Sequence, residues 1–270
     1  MVRPSYALNK IVTTARGGDA TTRIPTFSRN ADPAQNLNGF PGQLPESWGI
    51  DWSFFLDVPK SDGIDRNFKI PQPSYRIDAL LVSPLADLPE FFKESSTPEE
   101  KASLVGHLAF RNLLRGQMLG LPSGQKVAEM LGIIPLTDEV LWSAGSRMLN
   151  PDTLGDDKAD WEDTTKNRAS VREKWVNDKG PLAHNCPLWY YILREAEYYG
   201  VEKDTKDERI GMGGQHLGPV GSRIVAETLI GLLWYDKSSF LHDLRGFRPL
   251  REITGDAELT LGALLTYALT

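Results

Sequence analysis

The stretch from Ser95 to Pro122 constrains the fold most, because a helix start, a periodic apolar stripe and a stop follow one another there. Thr97 is placed as an N-cap, Pro98 suits the first helical position, and Glu100 completes a capping box. Leu104, Leu108, Leu113 and Leu114 then recur at helical spacing until Gly120-Leu121-Pro122 breaks the run. The pattern predicts a helix from Pro98 to about Leu119. An apolar stripe of that length has to be covered, so the remaining chain is read first for elements that could cover it.

Downstream the signals stay helical. Ser123 caps a short helix to Leu131 that Gly132 ends, and Thr137 to Leu141 reads as a further turn. Pro187 to Tyr199 reads as an amphipathic helix, with Leu188, Ile192 and the aromatics on its apolar face and Arg194, Glu195 and Glu197 on its polar one. Gly218-Pro219-Val220-Gly221 opens another from Ser222 to about Trp234, where Ile224, Val225, Leu229, Leu232 and Leu233 are expected to be largely buried. A last helix is expected from Thr260 to Ala268.

The first part of the chain differs. Gly17 to Trp48 is rich in Gly, Pro, Asn, Asp and Thr and reads as extended loop, Trp52 to Leu56 as a short apolar turn or helix, and prolines keep Arg66 to Pro89 free of long helices. No internal repeat and no alternation long enough for a sheet occurs. The expectation is a mainly α fold with long irregular loops, organised as one domain over residues 1–270.

Composition excludes several functions. Thirty-six acidic against 30 basic residues give a formal charge of −6, which offers no basic footprint for nucleic acid. The longest apolar run, near Ile224 to Tyr235, is interrupted by Glu227 and Thr228 and falls short of the roughly 20 residues of a membrane span. Met1 to Asn9 lacks the apolar stretch of a secretory signal, which leaves the compartment open. Cys186 is the single cysteine, so neither an intrachain disulfide nor a cysteine-based zinc site is expected.

Motifs that carry chemistry are sparse. The Asp-rich stretch Asn150 to Asn167 reads as a solvated loop without the spacing of a calcium-binding helical hand, and Gly211-Met212-Gly213-Gly214 as a flexible turn rather than a phosphate loop. His107, His184, His216 and His242 form no close ligand pair, and no GxSxG elbow is present. Cys186 lies beside Asn185 and His184, but neighbouring side chains in a chain diverge, so a Cys-His pair is not expected there.

Three segments, in order, carry a resemblance. Met1-Val2-Arg3-Pro4-Ser5-Tyr6 resembles the run that follows a histidine in Gly-His-x-Met-Val-Arg-Pro. Phe110 to Gln125 is similar to an Asn-x-x-Arg-x-x-x-x-Gly-x-Pro motif, with Asn112, Arg115, Gly120 and Pro122 at its fixed positions. Pro187-Leu188-Trp189 and Leu217 to Glu227 resemble a closing pair of helices. Together they resemble the animal-type haem peroxidase superfamily in its bacterial and fungal form, from just after the proximal histidine onward.

The resemblance implies a haem-peroxidase-like helical domain, present as its C-terminal portion, with haem as cofactor and hydrogen peroxide and a reducing co-substrate as reactants. It implies that Asn112 accepts a hydrogen bond from the proximal histidine and that Arg115 approaches a haem propionate. The distal histidine, its neighbouring Gln or Asp, the calcium loop, the catalytic arginine and the proximal histidine would all lie upstream of Met1, so no catalytic residue is assigned within the chain. A partner chain or segment would supply the haem-ligating half, and the helix carrying Asn112 and Arg115 would then present an apolar face to it. The alternative is a haem-free helical interaction or scaffold domain derived from the same core.

Overall fold

The computed structural model describes residues 5–9, 24–27, 36–37, 45, 48–56, 58, 72, 74, 76–79, 81, 83–86, 88, 91, 104–142, 170–199, 213–242, 251–254 and 259–269. In chain order the elements are β1 (Ser5–Tyr6), β2 (Ile24–Pro25), α1 (Ser83–Ala86), α2 (Leu108–Met118), α3 (Gly124–Met130), α4 (Asp138–Leu141), α5 (Leu188–Tyr199), α6 (Pro219–Tyr235), α7 (Arg251–Thr254) and α8 (Leu261–Leu269). Short 3-10 turns and one π-helical turn, Arg172–Val176, join them. Among the described residues the only sheet is the antiparallel β1–β2 ladder, so the chain is mainly α as expected. The capping box at Thr97 to Glu100, the Asp-rich stretch and Met1 to Pro4 lie outside the described residues.

The chain divides into two compact units, one drawn from 76–81 and 109–231 and the other from 2–75, 82–108 and 232–270. In the second, Leu8 and Ile24 form a small core with Tyr6, Leu37, Trp48 and Phe55 packed on it. Buried Gln72 acts as a one-residue strand mate, receiving the Ala7 amide at 3.0 Å and donating to the Ala7 carbonyl at 2.8 Å. The expected apolar turn is present as the 3-10 segment Trp52–Phe54, capped by Asp51.

The first unit is built from local signals that hold. Gly120 and Gly132 take left-handed φ of 62° and 69°. At each, the residue after glycine donates back five positions, Leu121 to Gly116 and Ile133 to Ala128, which satisfies the helix-end carbonyls. Ser123, Thr137 and Thr260 cap α3, α4 and α8 through their side-chain oxygens. The core joins α3, α4, α5 and the first turn of α6 through Ala128, Leu136, Leu141, Trp142, Val176, Cys186, Tyr191 and Val220.

Three expectations need correction. The expected single helix to Leu119 is divided: a 3-10 turn ends at Gly106 and α2 starts at Leu108, because glycine weakens a helix interior and the His107 amide bonds Leu104 three residues back. Val225, Leu229, Leu232 and Leu233 of α6 are exposed rather than buried. Arg194 and Glu195, read as a polar face, are buried. At Gly213 a Cβ would lie 1.8 Å from the Glu197 carbonyl oxygen, and Gly214 has φ 88°, so both positions call for glycine, while Gly211 and Met212 lie outside the described residues.

Packing of α3 on α5 gives a direct test. A Cβ at Gly124 would sit 2.0 to 2.5 Å from ring and Cβ carbons of Tyr191, a side chain that is fully buried and hydrogen bonded through its hydroxyl to the Leu136 amide at 3.0 Å. Gly124→Ala is therefore expected to destabilise the chain by about 2–3 kcal/mol in urea unfolding. Gly231→Ala, where nothing lies within 4 Å, is expected to be neutral or to stabilise by up to about 1 kcal/mol.

Candidate functional site

Among the described residues, a dense buried polar cluster lies where sequence patterning placed a solvent face. Arg194 and Glu195 are consecutive on α5, so their side chains leave the helix about 100° apart. Arg194 donates from Nε to the Leu141 carbonyl and from Nη2 to the Val140 carbonyl, both at 3.0 Å, and ion-pairs with Glu197. Glu195 accepts the amides of Val220 at 2.9 and 3.1 Å and of Gly221 at 3.1 Å. A cation thus meets the C-terminal end of α4 and an anion the N-terminal end of α6, the arrangement that helix dipoles favour.

Small residues make the approach possible. A Cβ on Gly218 would lie 2.3 Å from Glu195 Cγ and one on Gly221 2.9 Å from Ile192 Cγ2. Pro219, at the first helical position, gives up an amide that would have had no intrahelical partner. The signal in the sequence is Gly218-Pro219-Val220-Gly221, a helix start in which Gly218 clears room for the carboxylate and Gly221 for the Ile192 side chain. Burial raises the Glu195 pKa, and the Gly221 and Val220 amides partly offset that shift.

A second cluster surrounds Cys186. Buried Gln125 accepts the Cys186 amide at 2.9 Å and donates to Asp138 at 2.9 Å, and the other Asp138 oxygen accepts the His184 amide at 2.8 Å. The His184 ring Nδ1 stands 3.6 Å from that oxygen with its side chain 87% exposed. Burial, and after it the Asp138 charge, push the Cys186 thiol far above its ordinary pKa, so no thiolate is available at neutral pH and the sulfur is core. A shallow cleft of about 500 Å³ opens beside this cluster, between Ser123, Lys126, Thr137 and His184.

Asn112 and Arg115 both lie on α2, three residues apart and about 60° around its axis. Asn112 is half-buried and Arg115 exposed, and neither side chain has a hydrogen bond or ion pair among the described residues. No residue of α2 is buried. Its exposed apolar residues Phe110, Leu113, Leu114 and Met118 lie roughly 100–240° around the helix from Asn112, so α2 offers a polar face and an apolar face at once. His107 lies between the 3-10 turn and α2 and donates its amide to the Leu104 carbonyl. His184 and His216 sit in turns, and His242 Nε2 donates to the Trp234 carbonyl at 2.8 Å.

Among the described residues no three His, Cys, Asp or Glu side chains converge in a way that could hold a metal ion, and no helix is long and apolar enough to cross a membrane. No protein-family model matches the chain, and no curated protein or solved structure matches it.

The Glu195 cluster predicts the direction of a pH effect. A folded-state pKa above the unfolded value means that the folded chain holds the proton more tightly. Stability is then fully present below the ordinary carboxyl pKa and declines as pH rises through the raised value. Urea midpoints measured from about pH 4 to about pH 8 are expected to fall more for the parent than for Glu195→Gln. A parent that gains stability over the variant across this range would mean the amide donors outweigh burial.

Proposed function

We propose that the chain is the C-terminal portion of a haem peroxidase domain, acting with an axial histidine contributed from beyond these 270 residues. The observation that carries the reading is the joint placement of Asn112 and Arg115 on one side of α2 with no partner among the described residues. A carboxamide oxygen there suits the N–H of an axial histidine, and accepting it would fix the ring's orientation and tautomer. The Arg115 guanidinium suits a haem propionate, where its forked donors match a carboxylate. When bound, haem supplies the iron at which peroxide is cleaved.

The chain's own residues have a supporting part in that reading. Asn112 holds the ligand's N–H, Arg115 anchors the macrocycle edge, and the Leu108 position continues the same helical face. Neither Asn112 nor Arg115 moves a proton in the reaction, which agrees with the absence of any catalytic assignment in this chain. The apolar face of α2, with Phe110, Leu113 and Leu114 between 37% and 41% exposed, suits cover by a histidine-bearing segment or chain.

A haem-free scaffold derived from the same core is the alternative, and the Arg194–Glu195 cluster favours it to the extent that the best-formed polar site is structural. Haemin titration separates the two readings, with imidazole added in place of the missing axial ligand and the Soret band as readout. The peroxidase reading expects saturable binding that weakens about tenfold in an Asn112→Ala, Arg115→Ala double variant. Equal binding by parent and double variant, or none by either, would leave the scaffold reading.

A further inference from the structure

The cleft between α3, the segment leading into α4 and the turn before α5 is braced by hydrogen bonds between its walls. Gln125 ties α3 to that turn through the Cys186 amide and to α4 through Asp138, and Asp138 in turn accepts the His184 amide. The segment before α4 is fixed where the buried Tyr191 hydroxyl accepts the Leu136 amide. Every residue lining the cleft belongs to the first compact unit. A concavity of about 500 Å³ whose walls are already held together falls in the range of small-molecule sites, ~300–1,000 Å³, and asks for little ordering on binding.

One wall carries strain. His184 takes a left-handed φ of 50°, a conformation that glycine adopts freely and other residues at a cost. Its side chain is nonetheless 87% exposed, so the fold accepts that backbone without gaining buried contact from the imidazole. Strain of this kind is kept where a side chain has to be presented.

The chemistry of the lining selects the ligand. Pro122, Pro135 and Leu136 supply apolar surface, and the spare hydrogen-bonding capacity around them is mainly that of donors. The Ser123 and Thr137 hydroxyl oxygens already accept the Lys126 and Val140 amides, which leaves their hydrogens to donate. The Lys126 ammonium bonds Glu129, and the Asn185 carboxamide nitrogen bonds the Pro181 carbonyl, and each keeps further hydrogens. The carboxylates are engaged, Glu129 by Lys126 and Asp138 by Gln125 and the His184 amide. We propose that this cleft binds a small carboxylate with a flat apolar body, its charge at Lys126 and its body against Pro122, Pro135 and His184. The inference does not depend on haem.

The test is a titration of the full chain followed by amide chemical shifts, with phenylacetate as the probe. Saturable shifts are expected at Lys126, Leu136, Thr137 and Asn185, with a Kd of about 1 mM for a ligand of roughly ten non-hydrogen atoms. Acetate, which lacks the body, and phenethylamine, which reverses the charge, should each bind about tenfold more weakly or worse. Lys126→Ala, at an exposed helical position, should weaken phenylacetate about fivefold. His184→Gly relieves the backbone, so its urea midpoint should equal or exceed the parent's while phenylacetate binding falls about threefold, a split that a merely structural residue would not give. No localised shift up to about 20 mM phenylacetate, equal binding of phenethylamine, or undiminished binding by either variant would overturn the proposal.

Discussion

Everything ordered around the first unit's core depends on two adjacent charged residues that point different ways. Arg194 closes the carbonyl end of α4 and Glu195 the amide end of α6, with bonds of 2.9 to 3.1 Å. Removing charges from water carries a penalty of several kcal/mol per ion, and the interaction is favourable only when geometry and additional hydrogen bonds offset it. Here each ion answers several backbone groups that a helix terminus leaves without intrahelical partners, and for Glu195 these bonds offset the burial penalty in part. Removing one partner would strand those groups in the interior, so the cluster fixes which helices meet α5 and at what register.

From that anchor the outward faces follow. The core residues Leu141, Tyr191 and Val220 lie one on each of the three elements the charges connect, so apolar packing and ionic capping specify the same assembly. What this assembly does not cover is α2, which buries no residue, and the later turns of α6. Both helices carry apolar side chains into solvent, and the proposed histidine-bearing partner would cover that of α2. The interior is thus mainly structural, and function is proposed for the faces left open.

Much of the local structure was legible because it rests on single-residue backbone preferences. Gly120, Gly132 and Ser123 stand where a stop or cap was expected, and Thr137 and Thr260 cap helices that were expected to begin at them. Burial was less legible, since periodicity says which residues share a face but not what covers that face. Leu229 and Leu232 have the pattern of core residues and are exposed, while Arg194 and Glu195 have the pattern of a solvent face and are buried. The informative signal for Glu195 lay more than twenty residues away, in Gly218 ahead of Pro219. Asn112 and Arg115 are singled out by a motif resemblance alone, because an exposed helix face in itself carries no record of a ligand.

Native-state hydrogen exchange tests the central claim, that the buried charges of α5 hold the two neighbouring helix ends, at the atoms concerned. The amides of Val220 and Gly221 occupy the first turn of a helix, where exchange is ordinarily fast because no intrahelical carbonyl accepts them. The account predicts that both are among the slowest-exchanging amides of the chain and that Glu195→Ala releases them while the Gly124 amide, bonded to the Cys186 carbonyl at 2.9 Å, stays protected. Exchange of Val220 and Gly221 at the rate of exposed turns in the parent chain would contradict it.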